Sequence, residues 1–314
     1  MRTVTIRDER IVVEEHPDPR PGKGEVLVAV HAAGLNGADV HQRKGLYPAP
    51  PGAPQDIPGL ELAGTVAALG PGATRFSEGD RVMAVVGGGG QAELAVVHER
   101  QLMPVPEPLS WPEAGGLPEV FTTAHDMLFT QTGLASGERL LVHGAAGGVG
   151  TAAVQLGRAT GARVTATVRN ESLRPGVEEL GASKVIDPEG FEQSGPFDVI
   201  LELVGAPNMP ANLMALENRG RIAVIGIGGG AKAEVNLGLM LAKRITVRGS
   251  TLRPRPLEEK ADAARRVERH VLPLFESGAL RVPVAETFPL DRADEAYERF
   301  EAGGKLGKIV IATR

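Results

Sequence analysis

Apolar and polar positions change rhythm once along this chain. Up to about residue 113 the apolar positions come in short runs closed by glycine or proline. Residues 25–31, 62–69 and 80–86 are such runs, and 91–97 resumes the extended pattern after four consecutive glycines. Short strands at that spacing predict a barrel or a sandwich. The proline-rich stretch 47–58 reads as a loop, since proline fixes φ and lacks an amide donor. From about residue 118 apolar runs alternate with helical spacing. Strands are predicted at 139–143, 163–168, 184–186, 197–204, 220–225 and 245–250, with helices at 149–160, 173–180 and 237–244. That alternation predicts an α/β unit, a parallel sheet with helices on both faces. A charged amphipathic helix over 258–277, an extended run at 286–290, a helix over 291–301 and a strand at 308–312 follow. No internal repeat is present.

Length and composition narrow the class. The 314 residues suffice for two domains. With 42% apolar and 23% charged residues the chain is not of the disordered type. A net charge of −5 gives no footprint for nucleic acid or an anionic membrane, and no apolar run is long enough to span a bilayer. The first 13 residues are charged and alternating, unlike a signal core, so a cytoplasmic protein is expected. Cysteine is absent, which excludes disulfides, thiol catalysis and cysteine-ligated metals.

The strongest local signal is Leu140-Leu-Val-His-Gly-Ala-Ala-Gly-Gly-Val-Gly150, a buried strand running through glycines into a helix. Against the G-x-G-x-x-G pattern, Ala145 stands at the first glycine position and Gly147 and Gly150 at the others. Gly147 lets backbone approach a pyrophosphate and Gly150 lets the helix pack on the strand. Gly148 and Val149 open the helix, whose amides and dipole favour phosphate. A dinucleotide site is therefore expected. NAD sites place a carboxylate about 20 residues along to hold the ribose hydroxyls. Arg169 occupies that place here, with Ser172 and Arg174 close by, which points to a 2′-phosphate and hence NADPH.

A barrel-like first half followed by this loop resembles the medium-chain dehydrogenase/reductase superfamily. Within it the chain is similar to the zinc-independent quinone oxidoreductases of the zeta-crystallin type. Ala38-Asp-Val-His-Gln-Arg-Lys-Gly-Leu-Tyr47 with Pro50-Pro-Gly52 resembles the p53-inducible branch, and Gly59-Leu-Glu-Leu-Ala-Gly64 and Leu306-Gly-Lys-Ile-Val310 also fit. The resemblance spans about residues 25–311. It implies a GroES-like β-barrel catalytic domain from 1–117 and 258–314, and a Rossmann doubly wound domain from 118–257 with the active cleft between. Zinc-dependent relatives carry Gly-x-Cys-Gly-x-Asp and Gly-His-Glu. Here Asn36 stands at the thiolate position and Leu60 at the imidazole position, with Glu119 near the third. A metal-free protein is expected.

Without a Lewis acid the acceptor must itself be electron-poor, which favours a quinone or an activated enone over a simple ketone. NADPH-dependent quinone reduction is the leading expectation. Reduction of enones or enoyl thioesters, or a non-catalytic crystallin-like NADPH-binding role, are the alternatives. Tyr47, one of two tyrosines, is expected to donate a hydrogen bond to the acceptor. The resemblance assigns Asn36 to the nicotinamide ribose or substrate and Thr123 to the nicotinamide. Gly226 and Gly228 follow a sheet strand where a nicotinamide would pass. Arg253 and Arg255 are expected at the opening, and Asp39 is expected to pair with Arg43. The last strand of the parallel sheet, 245–250, is an edge that needs a partner. Relatives pair it with its two-fold mate, implying a homodimer.

Overall fold

Six parallel strands form one sheet in the order Lys184–Ile186, Arg163–Thr167, Arg139–Val142, Phe197–Glu202, Leu216–Val224, Thr246–Gly249. Numbered along the chain within this unit, the order is 3-2-1-4-5-6, so the strand order reverses between Arg139–Val142 and Phe197–Glu202. Leu140, Leu141, Val199, Ile200 and Ile222 are fully buried, as expected of strands covered on both faces. The helix Gly148–Ala159 covers one face through Ala152, Ala153, Val154 and Leu156.

A seven-stranded sheet organises the other unit. Glu25–Gly34 is its central strand, pairing antiparallel with Glu61–Leu69, Leu94–His98 and Lys308–Ala312. Val26, Val28, Val30, Leu62, Val82 and Val97 pack as one core. Val4, Leu35, Tyr297, Ile309 and Ile311 form a second, and each fully buried Leu or Ile contributes about 1.5–3 kcal/mol. The computed structural model describes residues 1–313. Its two units are residues 123–251 with 304–307, and residues 1–122 with 252–303 and the segment from Lys308 onward. No described helix is long and apolar enough to cross a membrane.

The structure adds elements to the expected set. Arg2–Arg7 and Arg10–Glu15 pair as a hairpin around Asp8 and Glu9, whose φ values of 48° and 62° suit a tight two-residue turn. Gly37–Arg43 and Trp111–Gly115 are short helices inside the strand-rich half, and Pro118–His125 is a short helix just beyond it. The helix expected over 258–277 is two, Leu257–His270 and Leu272–Glu276. The reason is Pro273, which has no N–H to continue the ladder of the first. The helix Met209–Ala215 and the short strand Met103–Pro104 are also additions, whereas the other strands and helices expected from the sequence fall within a few residues of their expected bounds.

Candidate functional site

The glycine segment is shaped by close packing. His143 N donates to Leu201 O at 3.0 Å, and Ala145 N donates to Thr167 O at 3.2 Å. Gly144 turns the chain with φ 58°. A methyl group at Gly150 would lie 2.6 Å from both Ala145 Cα and Gly144 O, so only glycine lets the helix start this close to the strand. Gly147 caps the helix, and the first helical bond runs from Thr151 N to Gly147 O at 2.8 Å. The amides of Gly148, Val149 and Gly150 lie ahead of that bond, without helical acceptors, and fit the phosphate oxygens of a dinucleotide. Ala146 O accepts from Gly307 N at 2.8 Å, which steadies the outer side of the loop.

Beyond the next strand, Arg169 is exposed and takes no hydrogen bond or ion pair among the described residues. Arg174 differs. Its guanidinium donates to Val168 O at 3.1 Å and pairs with Asp187 at 2.9 Å and Glu171 at 3.4 Å. Ser172 Oγ donates to Asn170 Oδ1 at 2.8 Å. Gly226 is half-buried, pressed against Leu203 O, while Gly228 is exposed with open space where a Cβ would stand. Thr123 is buried at the start of this unit.

In the other unit a buried ion pair holds Asn36. Lys308 Nζ donates to Glu61 Oε1 at 2.7 Å, Asn36 Oδ1 at 2.7 Å and Leu35 O at 2.9 Å. Asn36 Nδ2 donates to Glu61 Oε1 at 2.9 Å and Gly34 O at 3.2 Å, so both its hydrogens are committed. Glu119 N donates to Glu61 Oε2 at 2.8 Å. Lys308 and Glu61 escaped sequence reasoning as site residues. Their signal was a lysine opening an all-apolar strand and a glutamate after Gly59-Leu60, each burying a charge that needs its opposite.

Asp39 does not pair with Arg43. Its carboxylate turns back to accept from Asn36 N and Gly59 N, both at 2.9 Å, and is fully buried. Burial raises its pKa to about 6 against the opposing pull of those amides and of the Lys308 and Arg253 charges. Arg43 pairs with Glu301 at 2.7 Å, where its long side chain reaches the surface. Arg253 is not at an opening either. It is 3% exposed and donates to Gly87 O at 2.8 Å, Tyr47 O at 2.9 Å and Gln42 Oε1 at 2.5 Å. Its guanidinium carbon lies 5.1 Å from the centroid of the half-buried Tyr47 ring. Arg253 thus fixes the loop that carries Tyr47, and Arg255 is half-buried beside it.

A zinc ion does not fit these residues. Leu60, 2% exposed, offers only hydrocarbon, and the Asn36 oxygen already accepts from a cation. An ammonium bonded to both Asn36 and Glu61 opposes a second cation electrostatically. Among the described residues no three His, Asp or Glu side chains are grouped to hold a metal.

These two units, a parallel 3-2-1-4-5-6 sheet with a glycine loop and a mainly antiparallel sheet, define a dinucleotide-dependent dehydrogenase or reductase. The family models agree: an alcohol dehydrogenase GroES-like domain matches residues 22–107 and a zinc-binding dehydrogenase domain matches residues 148–269. The quinone oxidoreductase of Mus musculus is 31% identical over 307 residues, covering 93% of this chain and 90% of its own. That of Homo sapiens is 31% identical over 304 residues with the same coverage. A solved NAD-dependent alcohol dehydrogenase superposes with a TM-score of 0.88 at 28% identity, over 100% of both chains. The chain belongs to the quinone oxidoreductase family of the medium-chain dehydrogenase/reductase superfamily. It is an NAD(P)H-dependent oxidoreductase with a Rossmann-like and a GroES-like domain.

Proposed function

We propose that this protein reduces a quinone with NADPH, without a metal ion. The observation that carries this reading is the donor set around Asn36, where Leu60 and the Lys308 ammonium stand in place of metal chemistry. With no Lewis acid to polarise a carbonyl, the acceptor has to be electron-poor from the start. NADPH, when bound, supplies the hydride. Tyr47 donates a hydrogen bond to the acceptor oxygen, held in place by Arg253. Because the Asn36 amide hydrogens are committed, Asn36 meets a ribose hydroxyl only as an acceptor, through Oδ1. Thr123, Gly226 and Gly228 border the nicotinamide, and the amides of Gly148 to Gly150 hold the pyrophosphate. Arg169 takes the 2′-phosphate. Ser172 and Arg174, engaged by Asn170 and by Asp187, support that surface more than they bind.

The test is a steady-state panel of quinones, activated enones and enoyl thioesters with NADPH, run with and without a chelator. Quinones are expected to turn over best, at a rate the chelator leaves unchanged. Preference for an enone or thioester moves the protein to that substrate class, chelator-sensitive activity defeats the metal-free reading, and no turnover with any acceptor leaves cofactor binding alone.

Tyr47→Phe is expected to lower quinone turnover with cofactor affinity unaltered. One neutral hydrogen bond is worth about 0.5–1.5 kcal/mol, so the loss is a few-fold to about tenfold. An unchanged rate would leave Tyr47 a packing residue.

We further propose a homodimer through the edge strand Thr246–Gly249, all four residues of which are exposed. Val247 there is 38% exposed, and Leu237 and Leu241 on the preceding helix are 69% and 78% exposed. An open edge flanked by apolar side chains is a pairing surface. Light scattering at micromolar concentration is expected to give twice the 32.9 kDa chain mass, and a monomeric mass would dismiss the dimer.

A further inference from the structure

The two strands flanking the reversal of strand order end in a buried polar chain. His143 follows Arg139–Val142, and Glu202 closes Phe197–Glu202. Both side chains are 0% exposed, as is Asn212, on the helix Met209–Ala215. His143 Nε2 lies 2.8 Å from Asn212 Oδ1, and Asn212 Nδ2 donates to Glu202 Oε2 at 2.7 Å. Glu202 Oε1 accepts from Val204 N at 2.6 Å, Gly205 N at 2.8 Å and Asn208 Nδ2 at 3.3 Å. On the far side of the imidazole, Nδ1 lies 3.1 Å from Thr167 Oγ1. Thr167 also accepts from Ala145 of the glycine segment through its carbonyl, at 3.2 Å.

Direction follows from chemistry. Every neighbour of the Glu202 side-chain oxygens is a donor, so Asn212 turns its NH2 to Glu202 and its oxygen to His143. His143 then carries its proton on Nε2, and bare Nδ1 accepts from the Thr167 hydroxyl. Burial holds the imidazole toward its neutral form, with the nearby Glu202 charge and the Asn212 bond opposing.

The turn that Glu202 holds has little freedom elsewhere. Gly205, with φ 115°, lies so near the following loop that a methyl group would come 2.6 Å from Gly230 O. Gly229 N donates to Val204 O at 2.8 Å and Ala206 N donates to Gly230 O at 2.9 Å. Glu202 is therefore the junction of three loops at the carboxyl ends of the strands: 143–148 through Asn212 and His143, 203–206 directly, and 226–230 through that turn. Ligands of open parallel sheets bind outside the strand ends at the order reversal.

We propose that Glu202, acting through Asn212 and His143, is a positioning residue for the dinucleotide crevice, tying the two strand ends together and fixing the imidazole tautomer. The inference rests on dinucleotide binding by this unit and not on the choice between NADPH and NADH. Glu202→Gln offers an amide hydrogen where an oxygen accepted. If its oxygen stays with the turn, its NH2 faces Asn212, which must flip. The Asn212 NH2 then faces Nε2, and His143 must move its proton to Nδ1 and donate to Thr167. The relay reverses, and the loops lose a charge-assisted anchor.

The experiment uses full-length protein labelled with 15N at histidine and long-range 15N–1H spectra, with His143 assigned by its loss in His143→Gln. Cofactor affinity is measured by titration with whichever of NADPH or NADH the wild type binds more tightly. The wild type is expected to show the Nε2–H tautomer, and Glu202→Gln the Nδ1–H tautomer with cofactor binding weaker by roughly tenfold, as expected for a charge-assisted bond partly coupled to the loops. Glu202→Asp keeps the charge and is expected to keep the wild-type tautomer, with smaller loss of affinity. Phe191→Leu removes the ring that meets His143 edge-on at 4.5 Å and is expected to lower thermal stability without altering tautomer or affinity. An Nδ1–H tautomer in the wild type overturns the proposal without needing any variant to fold. It is also overturned if Glu202→Gln leaves the tautomer unchanged, or if Phe191→Leu weakens cofactor binding as much as Glu202→Gln at equal loss of thermal stability.

Discussion

Arg169→Asp is expected to reverse the cofactor preference of this enzyme. The 2′-phosphate of NADPH carries nearly two negative charges, whereas NADH presents a hydroxyl there. Arg169 is exposed beyond the second strand of the parallel sheet and spends its guanidinium on no other described residue. A charge-assisted bond to phosphate contributes about 1.5–3 kcal/mol, which corresponds to roughly tenfold to a hundredfold in affinity. Exposure and salt screening place the effect toward the lower end. The aspartate variant repels the phosphate and offers the ribose hydroxyls an acceptor, so NADPH should weaken while NADH stays level or improves. Dissociation constants for both cofactors, at low and high salt, check this. Equal wild-type affinity for the two would remove Arg169 from the site. Arg174→Ala should matter less for preference, since its charge already faces Asp187 and Glu171.

The second large effect belongs to Lys308. Its ammonium, 3% exposed, lies against Glu61, which is fully buried. Lys308→Met keeps most of the length of the side chain and removes the charge, leaving the Glu61 carboxylate in the interior with only Asn36 and Glu119 N to answer it. Breaking one side of a buried pair costs about 3–5 kcal/mol. For a unit of this size that is a fall of roughly 6–20 °C in the unfolding temperature of the GroES-like unit. Adding Glu61→Gln removes the orphaned charge and should restore part of the loss. Calorimetry of the wild type, the single variant and the double variant measures the coupling. A single variant that melts with the wild type would mean that the pair adds nothing to the fold.

Much of the architecture was legible because its signals are local. β-branched runs closed by glycine or proline marked the central strands, and the glycine segment at 144–150 marked the first strand–helix junction of the parallel sheet. The hairpin at Arg2–Glu15 stayed hidden because its turn is Asp8-Glu9 rather than a glycine pair, and its second strand is nowhere fully buried. The short helices near Asn36 and Trp111 lie among turn residues, where one or two helical turns hold too little periodicity to read. The buried charges fared worst. Lys308 and Glu61 are far apart in the chain, as His143 is from Glu202 and Asn212, and they meet only in the folded sheets. Their local surroundings look like ordinary strand ends. Arg253 followed an apparent loop, and only the fold turns it inward beneath Tyr47.

The chain passes between its two units four times, and this orders its birth. Glu25–Gly34 is made long before its neighbour Lys308–Ala312, with the whole of the other sheet translated in between. Residues 123–251, by contrast, supply all six strands of the parallel sheet in one stretch. The half encoded first is therefore the half completed last. Until residue 308 is translated, the Gly34 end of the central strand has an open ladder, and Glu61 has no cation. The nascent chain therefore carries an unfinished sheet while residues 123–251 are being made, the kind of edge that chaperones shield.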